Sequence, residues 1–185
     1  MLLLYNIDEI MVCGSDAREK WLVENLNQSL STNHLGEVSH YDGVAFVRDK
    51  KTGTLFIHQK VCIDKLVECF GVTTSCRSPS SPSLSVRAKE VTEESFDGPF
   101  RHLVGGLMWI ASMTRPDIAD AVRQVARQAH DPSHRRWKAA LKIFKCLRGT
   151  RDLGVKFSRV GGERLSAYVD ASFGNKNDDR RSVSG

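Results

Sequence analysis

Three groups of residues in this chain are of types that do chemistry. Asp8 and Glu9 stand side by side between two short apolar runs, Leu2-Leu3-Leu4-Tyr5-Asn6-Ile7 and Ile10-Met11-Val12-Cys13, which predicts a β-hairpin with both carboxylates at its tip. Adjacent carboxylates on strands suit hard divalent cations, because oxygen ligands hold Mg²⁺ and a strand fixes their direction. On spacing alone the plainer reading is a solvated acidic turn. Asp170 closes the apolar run Leu165 to Val169 just before Ala171-Ser172-Phe173-Gly174, where a lone carboxylate is more often a cap than a catalyst. The third group is basic: Arg135, Lys138, Lys142 and Lys145 recur at helical spacing, opposite Trp137, Ala140, Leu141, Phe144 and Leu147. Such a face either meets a polyanion or is simply solvated.

These groups need elements to carry them. Asp16 and Glu19 have capping-box spacing and precede an apolar stripe at Trp21, Leu22, Leu26 and Leu30, which predicts a helix packed on a surface. Val38 to Val47 is strand-like with Gly43 as a bulge position, and Thr54 to His58 returns as its partner across the loop Asp49 to Gly53. Gln59 to Phe70 follows as a helix with Ile63, Leu66, Val67 and Phe70 inward. Cys62 and Cys69 fit as packing residues of that helix. Thr73 to Ser85 is rich in serine and proline and reads as an extended linker, and the acidic run Glu90, Glu93, Glu94, Asp97 as a solvated face.

Phe100, Leu103, Val104, Leu107 and Ala111 then recur at helical spacing, with Trp109 and Ile110 adding apolar surface. Gly105 and Gly106 within that pattern imply a closely approaching backbone, since each costs about 1 kcal/mol against alanine in a helix. Thr114 offers a hydroxyl cap, Pro116 suits a first turn and Asp117 suits the positive end of a second helix. Asp131-Pro132 reads as the start of the basic helix, and Gly149 as its stop. Leu153 to Phe157 and Leu165 to Asp170 read as strands joined by a turn at Gly161-Gly162.

Composition narrows the function classes. The chain has 185 residues, 41% hydrophobic and 26% charged, as in ordinary globular domains, with no apolar run of the ~20 residues that span a bilayer. Met1-Leu2-Leu3-Leu4 meets Asp8 and Glu9 too soon for a signal peptide. Five cysteines without a Cys-x-x-Cys pair suggest neither a disulfide framework nor a zinc site, and they read as reduced, mostly buried thiols. The net charge of +5 is uneven: Arg115 to Arg164 holds thirteen Lys/Arg against five Asp/Glu, a net of +8, which leaves −3 elsewhere. The basic half is the candidate polyanion surface.

Two long motifs in order carry a resemblance. Val104-Gly105-Gly106-Leu107-Met108-Trp109 followed by Thr114-Arg115-Pro116-Asp117-Ile118-Ala119, then Arg136 to Thr150, resembles the segment between polymerase and RNase H in the Pol polyprotein of copia-type LTR retrotransposons. The resemblance runs along almost the whole chain. Ile7-Asp8-Glu9 stands where that family has the Val-Asp-Asp of its polymerase hairpin, and Gly14-Ser15-Asp16 matches the Gly-Ser-Asp that follows. An ungapped alignment keeps Asp8 as the retained aspartate, with Glu9 one methylene longer than the family's residue. A rival alignment keeps Tyr5 and displaces Asp8 along the strand; the motif is impaired on either. Asp42 stands at a family leucine, which marks either a rim position or decay. Tyr168 to Gly174 resembles the stretch whose first aspartate, here Asp170, is the first RNase H metal ligand, and Asp178 to Gly185 matches its continuation.

The resemblance implies an α+β fold: residues 1–72 as the end of a reverse-transcriptase palm and the start of its thumb, 73–97 as a linker, 98–152 as a helical thumb and connection, and 153–185 as the start of an RNase H-like domain. It implies RNA-directed DNA polymerase and RNase H chemistry with Asp8, Glu9 and Asp170 as metal-binding catalytic residues and Mg²⁺ as the cofactor of the intact family. Each metal site has one matched aspartate here, so the chain is expected to be a truncated, inactive piece. The implied partners are an RNA/DNA template–primer duplex against Arg135, Lys138, Lys142 and Lys145, and full-length Pol; no membrane is implied. The implied location is cytoplasmic, in a virus-like particle, and not secreted. The alternative is a non-catalytic nucleic-acid-binding module that uses the basic helix face.

Overall fold

The structure is a computed structural model that describes residues 1–6, 9–80, 94–127, 129–159, 171–172 and 183–184; Asp8, Asp170 and the turn expected at Gly161-Gly162 lie outside them. Helices and antiparallel strands are both present, and the chain divides into two units, residues 1–41 and 42–185.

In the first unit β1 (Leu2–Asn6) and β2 (Glu9–Cys13) pair antiparallel, in register from Leu2 opposite Cys13 to Asn6 opposite Glu9. Helix α1 (Asp16–Leu26) starts one residue earlier than the capping-box spacing suggests: Ser15 is the extended cap residue, and its carbonyl accepts the N–H groups of Arg18 and Glu19. No residue of α1 is buried, and Trp21 is 57% exposed. His34 Nε2 lies 2.5 Å from Glu19 Oε1, which ties the following loop back to the helix. The unit ends with β3 (His40–Tyr41).

The second unit opens on a turn. Asp42 and Gly43 both take the left-handed conformation, φ +46° and +77°, which Asp and Gly tolerate best. This turn interrupts the long strand expected from Val38 to Val47 and replaces the expected bulge; it also places Asp42 at an exposed position, so the charge meets water and not a core. Strands β4 (Val44–Asp49) and β5 (Thr54–His58) form the expected hairpin. Strand β6 (Val155–Ser158) then pairs antiparallel with β5, Ile57 opposite Val155 and Leu55 opposite Phe157. Two further two-residue strands, β7 (Ala171–Ser172) and β8 (Val183–Ser184), pair with each other.

The core is helical. It is built by α2 (Lys60–Cys69), α3 (Phe100–Met113), a 3₁₀ turn at Pro116–Ile118, α4 (Ala119–Ala126) and α5 (His134–Gly149). Apolar residues at helical spacing meet there: Ile63 and Val67 from α2, Leu103, Leu107 and Ile110 from α3, Val122 and Val125 from α4, Ile143, Phe144 and Leu147 from α5. Each such side chain taken fully from water contributes about 1.5–3 kcal/mol. Phe70 lies at the edge of this core, with its ring stacked on Phe144 and edge-on to Trp137. Two exposed ion pairs, Lys60 with Asp152 at 2.6 Å and Asp64 with Arg151 at 3.2 Å, join α2 to the turn after α5.

Candidate nucleic-acid interface

The basic face begins from the way α5 is held. Ala139, Ala140, Ile143, Phe144, Cys146 and Leu147 are buried and Trp137 and Leu141 half-buried, so the helix cannot roll without exposing several of them. Its start is pinned as well. Ser133 is the extended cap residue, two positions beyond the expected Asp131, whose carboxylate instead accepts the Ser95 hydroxyl at 2.8 Å. The Phe96 N–H donates to the Pro132 carbonyl at 2.7 Å, and the Phe96 ring stacks on Trp137 at 4.5 Å. Arg136, indistinguishable from Arg135 by type, is turned inward at 3% exposure and donates to the Gln124 carbonyl on α4.

Of the four residues of the expected face, Lys138 is exposed, while Arg135, Lys142 and Lys145 are half-buried. Residues 73–80 lie along α5 and cover part of this face at Lys142 and Lys145. The Cys76 N–H donates to the Lys145 carbonyl at 3.1 Å, Lys142 Nζ donates to the Ser80 carbonyl at 3.1 Å, and Arg148 donates to the Thr73 carbonyl. Gly149 makes this approach possible: a Cβ there would lie 3.2 Å from Ser75 Cβ and 3.4 Å from the Cys76 carbonyl. Gly149 is the last helical residue and makes room for a neighbour; the stop falls at Thr150, with φ −131°.

Sequence reasoning missed the polar cluster at the other end of α5. Arg115 is 2% exposed. Its Nε and one terminal nitrogen donate to both Asp117 carboxylate oxygens, at 2.9 and 2.7 Å, and its guanidinium also donates to the Thr150 carbonyl at 3.0 Å and hydroxyl at 2.8 Å. The guanidinium thus caps the C-terminal end of α5, where a positive charge is favoured. The Thr150 hydroxyl in turn donates to the Cys146 carbonyl. Thr114 is the C-cap residue of α3 and its hydroxyl caps no following helix; buried, it donates to Gln59 Oε1 at 2.8 Å, joining the α3 end to the start of α2. The hydrogen bonds from Arg115 hold the Asp117 carboxyl below the usual carboxylate range, against a smaller opposing effect of burial.

Of the expected metal-binding residues only Glu9 is described, exposed at the start of β2 opposite Asn6. Among the described residues no three His, Cys, Asp or Glu side chains converge. A two-cation site needs several carboxylates, and Glu9 is the one expected ligand among the described residues, Asp8 and Asp170 lying outside them.

The retrovirus-related Pol polyprotein from transposon TNT 1-94 of Nicotiana tabacum is 31% identical over 200 residues, covering 100% of this chain and 14% of the polyprotein. The chain is homologous to a segment of retrotransposon Pol. The Pol polyprotein from transposon RE1 of Arabidopsis thaliana is 27% identical over 185 residues, 99% of this chain and 12% of that relative. A shorter match, 36% over 87 residues, covers 47% of the chain and 61% of secreted RxLR effector protein 161 of Plasmopara viticola. The chain therefore spans about a seventh of the Pol polyproteins it matches from end to end. No family model and no solved structure matches it. In this chain the Thr114 to Asp117 motif is structural: Thr114 and Arg115 are buried and join α2, α3 and α5.

Proposed function

We propose that this chain is the part of a retrotransposon reverse transcriptase that lies along the template–primer duplex, and that by itself it binds duplex nucleic acid without catalysing polymerisation or RNA cleavage. The observation that carries the reading is the polarity of α5. Its inner side is locked by apolar packing and two buried arginines, while Lys138, Lys142 and Lys145 lie on the side away from that packing. Charge held on a rigid helix favours phosphate without reading bases, because no bidentate donor and acceptor pattern is presented to a groove. The homology to Pol polyproteins supports the choice of an RNA/DNA duplex as the ligand, and Mg²⁺ as the cation a longer polyprotein would use.

The test is fluorescence-anisotropy binding of an RNA/DNA hybrid across a salt series. Neutralising about three phosphates gives a slope of log K against log salt near −3. Lys138→Glu with Lys142→Glu should flatten it by about two units and leave the melting temperature unchanged. Affinity that ignores both salt and the charge reversals would sink the proposal. Primer extension on an RNA template with Mg²⁺ should give no product. Extension that vanishes in Asp8→Asn would overturn the non-catalytic half of the reading.

A further inference from the structure

Residues 73–80 bring a second cysteine to the buried cysteine of α5. The Cys76 N–H is 3.1 Å from the carbonyl of Lys145, the residue directly before Cys146. Standard backbone dimensions then place the two α-carbons within about 7 Å of one another. Both sulfurs lie in the same seam. Cys76 Sγ is 3.3 Å from the Ser78 carbonyl and 3.5 Å from the Lys142 carbonyl, and Cys146 Sγ is 3.8 Å from the Arg77 carbonyl. Disulfides need α-carbons about 4.4–6.8 Å apart, so little backbone movement separates this arrangement from a bond. The other cysteines are placed differently: Cys13 and Cys69 are exposed, and Cys62 sits half-buried against the helical core.

We infer that Cys76 and Cys146 are an oxidisable pair that forms an intramolecular disulfide, fastening residues 73–80 to α5. The co-reactant class is a low-molecular-weight disulfide. Cys76, the more accessible thiol, attacks one sulfur of oxidised glutathione as thiolate, forms a mixed disulfide and expels one glutathione thiolate. Cys146 then attacks the Cys76 sulfur, which forms the protein disulfide and expels the second glutathione. Two protein thiols lose two protons and two electrons, and one oxidised glutathione becomes two reduced ones. Burial, and next the neighbouring Cys76, push the Cys146 thiol up, so the second step should quicken as pH rises.

The alternative is that both thiols act only as weak donors to backbone carbonyls. To separate the two, the folded chain is treated with oxidised glutathione, quenched in acid, alkylated and digested without reduction. The inference expects a Cys76–Cys146 cross-linked peptide, a monomer on a non-reducing gel and a melting temperature several degrees higher after oxidation, reversed by dithiothreitol. Cys76→Ser, which alters only the accessible half, should abolish both cross-link and shift. A Cys13→Ser, Cys69→Ser double variant should retain them. Recovery of Cys76 and Cys146 as alkylated thiols or glutathione adducts, with the fold intact by circular dichroism, would overturn the inference.

Discussion

Arg115 decides how the end of α5 is held, and its energetics follow from its partners. The guanidinium is buried with four hydrogen bonds, two of them to a carboxylate whose side chain is 53% exposed. Arg115→Leu keeps volume but strands the Thr150 carbonyl and frees Asp117; we expect a loss of about 2–3 kcal/mol by urea denaturation, and a loss under 0.5 kcal/mol would show that the cluster is incidental. The carboxylate's half-exposure keeps its own share small. The sign of its pH dependence is nevertheless fixed. The folded pKa of Asp117 lies below the unfolded value of about 3.9, so its contribution is complete above that value and is lost as pH falls through the folded pKa. Asp117→Asn should therefore cost stability at neutral pH and less below about pH 3. This cluster is not read from the sequence: Arg115 looks like any other basic residue, and Asp117 reads only as suiting a helix start; the one signal available is the Arg-Pro-Asp spacing, which puts a carboxylate two residues on across a fixed turn.

The helices were easier to read than their joints. Ile63, Leu103, Leu107, Phe144 and Leu147 are buried where their spacing put them, because periodicity reports a face directly. What fills the space beside a small residue is set by the partner element, which a single sequence does not display. The two glycines of α3 illustrate this. A Cβ on Gly105 would meet nothing within 4 Å, whereas one on Gly106 would lie 3.0 and 3.3 Å from the two δ-carbons of Leu66. The close neighbour is thus a side chain of α2 at one glycine only, and not a backbone. Gly105→Ala should raise stability by about 0.5–1 kcal/mol through helix propensity alone. Gly106→Val should lower it by about 1–3 kcal/mol, because Leu66 must leave its place. Thermal melts of the pair check both signs; equal shifts would mean that the α2–α3 contact does not discriminate between the positions.

At the scale of the whole molecule, the mixed helix-and-sheet character and the helical core were legible, as was the likeness to retrotransposon Pol polyproteins, since two ordered motifs carry it. The basic face was legible as a pattern. Its partial cover by residues 73–80 was not, because a serine- and proline-rich composition says that a segment forms no helix, not where it lies. The pairing of β6 with β5 was equally hidden, as strands announce their own periodicity but not their partners. That pairing has a kinetic consequence. Its partners stand about a hundred residues apart in sequence, with α2, α3, α4 and α5 all between them, so the rungs from Ile57–Val155 to Thr54–Ser158 close a long loop. Closing it early would cost chain entropy before any packing repaid it. The helices should therefore assemble first and the last strand dock afterwards. In stopped-flow experiments Val155→Ala should speed unfolding while leaving the refolding rate nearly unchanged, whereas Leu107→Ala should slow refolding. A refolding rate that dropped as much for Val155→Ala as for Leu107→Ala would put the docking of β6 before the rate-limiting step.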